Sequence, residues 1–206
     1  MADTSGKTVN KANVSLGRSK ATGLLWWAPS GTELPTDATT ALPDAYRTPG
    51  YTSEDGVTNS VDTDTTSVND MNGTQVLNEI TSYSETFQLS LLETNADAMK
   101  LRYGTDAVTG TDALKIRHKM PKGESLVLVL ELLLTGNRVK RIVIPDAVLT
   151  EIGDTQYDSG DAIVYDLTFT ANPSPLIDGD TSREYIATAS TTSTTAATSS
   201  TKTSES

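Results

Sequence analysis

Tyr83, Phe87, Leu89 and Leu91 alternate with Ser82, Ser84, Thr86, Gln88 and Ser90. An apolar side chain at every second position is the period of a strand with one buried face. A helix would scatter the same residues around its axis. Ile163, Tyr165, Leu167 and Phe169 repeat the pattern against Asp166, Thr168 and Thr170, and Val148, Thr150 and Ile152 repeat it more weakly. Residues 124–134 are apolar on both faces except at Glu131, which predicts a central strand covered on both sides. Thr135-Gly136-Asn137 then leads into residues 138–144, so these two segments are expected to form a hairpin.

One helix stands out. Thr94-Asn95-Ala96-Asp97 has the form of a capping box with Thr94 as N-cap, Met99 and Leu101 supply an apolar face, and Gly104 marks the end. A helix of about ten residues cannot persist alone, so it must pack on a sheet. The predicted fold is mainly β: a β-sandwich or barrel of about six to eight strands with one short flanking α-helix.

Charge and composition set the boundaries. Residues 1–20 carry Lys7, Lys11, Arg18 and Lys20 against Asp3 and are expected to form a flexible basic arm. Residues 21–187 form the β domain. Within it, residues 33–70 hold Glu33, Asp37, Asp44, Glu54, Asp55, Asp62, Asp64 and Asp70 against Arg47 alone, with Pro35, Pro43 and Pro49. That stretch reads as a long acidic loop that builds little core and reaches toward a neighbouring subunit. Residues 188–206 are expected to be a flexible tail, since thirteen of the last seventeen residues are Ser or Thr and have little to bury.

The chemistry of catalysis finds little footing. The chain has no cysteine, which excludes disulfides, thiolate nucleophiles and zinc–thiolate sites. Its one histidine, His118, lies among Lys115, Arg117 and Lys119, a setting of like charges that does not prepare a base. No Gly-x-Ser-x-Gly elbow, phosphate-binding loop or dinucleotide fingerprint occurs. Asp62-Thr63-Asp64 and Asn69-Asp70 miss the spacing of a calcium loop. A carboxylate pair such as Glu151 and Asp154 is the only opening for acid–base work. No catalytic residue, cofactor or metal is therefore expected. The formal net charge of −11 disfavours wrapping nucleic acid.

Candidate interface residues remain. Lys115, Arg117 and Lys119 form one basic cluster, Arg138 and Arg141 belong to another, and Asp62, Asp64 and Asp70 are their natural complements on another subunit. A plain solvated face is the alternative. Trp26 and Trp27 point to opposite faces of a strand. Either one is buried and the other half-covered by a loop, or one anchors an interface. The first twenty residues contain no apolar run, which predicts synthesis and retention in the cytoplasm, and no stretch approaches the roughly 20 apolar residues of a membrane span.

Three segments in order carry a family resemblance. GLLWWAPSGTELPTDATTALPDAYRTPGYTSEDGV is similar to the opening of major tail proteins of long-tailed phages of the siphovirus type. ITSYSETFQLSLLETNADAMKLRYG resembles that family's strand entering a short helix, and KRIVIPDAVLTEIGDTQYDSGDAIVYDLTFTA its closing strands. The resemblance implies a structural virion protein, a tail tube protein whose subunits form hexameric rings stacked into a tube. It implies as partners a tape measure protein, tail terminator and distal tail proteins, and double-stranded DNA passing through the lumen without sequence-specific binding. It implies no membrane partner, assembly in the host cytoplasm and a final place in the tail of the virion. The alternative reading is a non-enzymatic β-sandwich adhesion or decoration module.

Overall fold

Leu126, Leu128 and Leu130 interleave with Val127 and Val129, so a strand through them must be covered on both faces. The computed structural model, which describes residues 9–111 and 113–188, supplies that cover from two sources. The strands are β1 (Gly17–Ser19), β2 (Leu25–Pro29), β3 (Thr52–Asn69), β4 (Gln75–Leu91), β5 (Val108–Thr109), β6 (Lys115–Ile116), β7 (Ser125–Leu134), β8 (Arg138–Ile152), β9 (Tyr165–Ala171) and β10 (Arg183–Thr188). The helix α1 (Ala96–Tyr103) follows β4. Eight strands form one antiparallel sheet, and β5 and β6 pair separately. The fold is mainly β with one flanking helix, as its alternating segments require.

Strand β8 organises the sheet. It pairs with β7 on one side; on the other it pairs with β10 over residues 138–143 and with β9 from Ala147 onward. The change of partner falls at Pro145, which has no N–H to give a ladder. The β7–β8 register shifts at the same place, between Leu126 and Leu128. A bulge there lets one strand serve two halves of the sheet.

The main core lies on the face carrying Leu126, Leu128 and Leu130. It gathers Leu25 and Trp27 from β2, Phe87, Leu89 and Leu91 from β4, Leu167 and Phe169 from β9, and Ala98, Met99 and Leu101 from α1. The opposite face, with Val127, Val129 and Val143, is covered by Tyr46, Leu34, Leu42 and Trp26. Residues 33–46 are therefore a core-building lid, contrary to the expectation that they contribute little. The Tyr46 hydroxyl donates to the Glu33 carbonyl at 2.9 Å, and burial pushes it up to about 12.

Three further boundaries are corrected. Residues 52–69 are a strand rather than loop. Both faces are exposed through most of its length, so no apolar alternation betrays it, and its β-branched Thr and Val residues were the available sign. Residues 17–19, assigned to a flexible arm, pair with Leu132–Leu134 as β1. The N-cap of α1 is Asn95, not Thr94, and the helix has eight residues. Asn95 accepts from the Ala98 N–H at 2.8 Å while donating to the Pro49 carbonyl at 2.8 Å. A hydroxyl could not fill both roles toward those partners so readily, and Thr94 instead meets the Tyr165 hydroxyl at 2.9 Å. The expected Ser/Thr tail lies outside the described residues from 189 onward, as does the start of the N-terminal arm, residues 1–8.

Candidate assembly surface

The β4–β9 ladder ends at Glu85 opposite Ala171, but β4 begins ten residues earlier, at Gln75. Over that stretch β3 alone among the described strands accompanies it, and every residue from 58 to 84 is exposed. At about 3.3 Å per residue this arm projects roughly 30 Å beyond the body. Buried Glu85 fastens its base by accepting from Asn59 Nδ2 at 2.9 Å, from the Ser182 hydroxyl at 3.1 Å and from the Thr181 hydroxyl.

The arm is two-faced. Val61 lies opposite Glu85 and Tyr83 opposite Thr63, so both share the face of Phe87 and Leu89. A bulge at Thr81 then shifts the register, and Ile80 opposes Thr65 on that same face although it is three residues from Tyr83. The core stripe thus continues outward with no described residue over it: Val61 is 47%, Tyr83 54% and Ile80 64% exposed. The reverse face carries Asp62, Asp64 and Glu79, with Val68 and Leu77. The arm has no lysine or arginine. An isolated two-stranded ribbon is marginal in water, so an arm of this length calls for a partner surface.

The predicted interface residues fall in different places. Asp62 and Asp64 are on the arm, where Asp64 accepts from the Ser82 hydroxyl at 2.8 Å. Asp70 shapes the tip by accepting from the Asn72 and Thr74 N–H groups at 2.9 and 2.7 Å, the latter bond holding its carboxyl below the usual range. Gly73 stands at φ +81°, so Asn72-Gly73 is the hairpin signal that the sequence does contain. Trp27 enters the main core and Trp26 the second cluster, half-buried. Among the described residues neither indole N–H has an acceptor.

The cations are largely engaged within the subunit. Arg141 is 2% exposed and lies under the 33–46 lid. It donates to Glu131 Oε1 at 2.5 and 3.0 Å and to the carbonyls of Asp37 and Thr40 at 2.8 Å each, while Lys20 meets Glu131 at 2.9 Å. Arg138 bonds the Ser15 hydroxyl. Arg117 donates to the Asp106 carbonyl at 2.6 Å, and Lys119 and Lys122 converge on the Asp106 carboxylate at 2.5 and 2.9 Å. Lys115 is exposed on β6. His118 stacks on Tyr103 with ring centroids 4.4 Å apart. Among the described residues no group of three or more His, Asp or Glu is placed to hold a metal ion.

Hydrogen bonds from Lys119 and Lys122 lower the Asp106 carboxyl to about 2. A carboxyl depressed on folding stabilises above its unfolded value near 4, and this contribution is lost as pH falls through about 2. Asp106→Asn should therefore release residues 117–123 already at neutral pH, seen as faster tryptic cleavage at Lys119 and Lys122. In the wild type, NMR signals of that segment should sharpen between about pH 4 and 2. Unchanged cleavage of the variant would show that the segment is held by other contacts.

A second surface is defined by its charge. On the outer side of the sheet, Thr86, Gln88 and Ser90 of β4 lie opposite Thr170, Thr168 and Asp166 of β9, and Glu151 of β8 lies opposite Thr168. This hydroxyl-rich face contains no lysine or arginine along those registers.

The β domain keeps its core to itself while extending an arm that no other described residue covers. The family model for phage tail tube proteins matches residues 11–178, and the chain belongs to that family. It is a structural protein of the phage tail. No curated protein sequence matches it. Among solved structures it is similar to a chain of the extended sheath–tube complex of the PVC extracellular contractile injection system. The identity is 12%, with 83% of this chain and 92% of that chain covered and a TM-score of 0.39. It is also similar to the tube-terminating cap of the anti-feeding prophage (14% identity, 92% and 100% covered, TM-score 0.39). A third similarity is to the PVC sheath/tube terminator in the extended state (15%, 64% and 83%, TM-score 0.34).

Proposed function

We propose that this chain polymerises as hexameric rings stacked into the tail tube of a siphovirus-type virion, and that the viral double-stranded DNA leaves through the lumen. The observation that carries this reading is the arm: a ribbon exposed over residues 58–84, with an apolar stripe on one face and carboxylates on the other. In a ring or stack it is covered; in a monomer it is not. Assembly in the host cytoplasm, on a tape measure protein and between a distal tail protein and a tail terminator, belongs to the same reading.

The face of Thr86, Gln88, Thr168, Thr170 and Asp166 suits the lumen. Duplex DNA carries roughly one negative charge per 1.7 Å, and a wall of cations would hold it over the length of the tube. Hydroxyls and a few carboxylates let it slide. Trp26, Lys115, Arg117, Lys119, Arg138 and the arm's Asp62 and Asp64 belong to contacts between subunits or to the exterior. Apolar cover does most of the holding, because exposed ion pairs contribute only about 0–1 kcal/mol each.

Electron microscopy of the purified protein tests this. Tubes with six subunits per ring and a lumen free of unpaired Lys and Arg are expected. Uniform monomers at high concentration would favour a decoration module, and a lumen ringed by cations would overturn the sliding argument.

A further inference from the structure

Beside α1 the body carries an open cleft of about 550 Å³. Trp27, Pro29 and Leu126 supply its apolar lining, and Arg47, Lys100 and Glu124 its charges. Glu124 is already engaged by the Thr105 N–H and hydroxyl, at 3.2 and 2.7 Å. Lys100 has only a 3.4 Å pair with Asp97, and the Arg47 guanidinium has no hydrogen bond or ion pair among the described residues. Trp27, 4% exposed, presents the edge of its ring to the cleft as part of the apolar lining. An apolar lining and two under-used cations together ask for an apolar side chain flanked by negative charge.

The tip of the arm has that chemistry. Met71, 105% exposed, is the most protruding apolar side chain of the arm, and Asp70 precedes it. A methionine thioether fills irregular apolar space and packs well on an aromatic ring. Brought to the cleft by a second copy, the Asp70 carboxylate would offer negative charge to the two cations. The tip cannot serve its own cleft, because it stands roughly 30 Å beyond the body in which the cleft lies.

We propose that this cleft is the receptor for the arm tip of a second copy of the chain, with Met71 seated against Trp27 and Asp70 beside Arg47 and Lys100. The inference rests on the polymer reading and adds the site at which one subunit grips the next. Donor and receptor are different surfaces, so the contact is heterologous and propagates from copy to copy.

The absence of cysteine makes a cross-link test specific. In the double variant Met71→Cys/Ser30→Cys, with Ser30 on the rim of the cleft, oxidation of assembled protein should give a covalent ladder extending past the dimer, and neither single variant should. Met71→Asp should raise the concentration needed for assembly by roughly thirtyfold or more, the scale of a lost interface anchor, and Met71→Leu should restore it. Tubes that form without the ladder overturn the assignment and leave the polymer reading intact. A product that stops at the dimer shows paired arms instead and overturns it. If the double variant does not assemble, the Met71 pair decides: wild-type assembly by Met71→Asp overturns the proposal. Wild-type protein that never polymerises removes both readings.

Discussion

Replacing residues 62–84 with an Asn-Gly turn should leave a folded body and abolish polymerisation. The cut joins Val61 to Glu85, which already face each other across the β3–β4 ladder, so a two-residue turn closes the hairpin without strain. Every residue removed is exposed, and the Glu85 contacts to Ser182 and Asn59 stay in place. The circular dichroism spectrum should remain that of a β protein, and Tm should move by no more than a few degrees. Assembly should be lost outright. Covering the half-exposed Val61, Val68, Leu77, Ile80 and Tyr83 contributes on the order of 5 kcal/mol per arm, and nothing in the shortened chain replaces it. A deletion over residues 37–64 would be a poor substitute. It removes buried Ala38 and Tyr46 and the Asp37 and Thr40 carbonyls that hold Arg141. Normal tubes from the short-turn variant would disprove the role given to the arm.

Arg141→Ala should destabilise the subunit by about 3–5 kcal/mol, because it leaves Glu131 buried with a hydrogen-bonding partner removed and takes the anchor from the 33–46 lid. Lys20 reaches the same carboxylate but is itself partly exposed, so it offsets only part of the loss. The double change Glu131→Leu/Arg141→Met should recover the part of this loss due to the unpaired carboxylate, but not the part due to the Asp37 and Thr40 carbonyls, which still lose their donor. Urea unfolding of dispersed subunits measures both. A loss below about 1 kcal/mol for Arg141→Ala would mean that water reaches the pair and the lid is held by Tyr46, Leu34 and Leu42 alone.

The Arg141 result marks where reading the chain in one dimension stops. Arg138, Lys140 and Arg141 are one basic cluster in sequence, yet adjacent positions of a strand face opposite sides. Only the pairing of Arg141 with Glu131 across β7 and β8, beneath a lid from residues 33–46, separates a buried structural cation from its half-buried neighbours. The same holds for Trp26 and Trp27. Their opposite directions follow from the strand period, but which one meets the main core depends on where the rest of the sheet lies.

The β class, the hairpin around Gly136, the short helix and the two-sided burial of β7 follow from the sequence, because each depends on side chains close together along the chain. Period-two alternation in 83–91 and 165–171 needs no knowledge of the partner strand. The arm, the lid and the cleft beside Trp27 do not follow. The arm has no buried face and so leaves no alternation to read; its register comes from a bulge at Thr81 and a turn at Asn72-Gly73. The lid looks like solvated loop because its few apolar residues are spaced for a surface that other strands create. The cleft joins β2, α1 and the start of β7, which meet only after the sheet has folded. Burial periodicity is a local property written along the chain, whereas cover, exposure and receptor surfaces come from long-range packing, which tertiary structure alone decides.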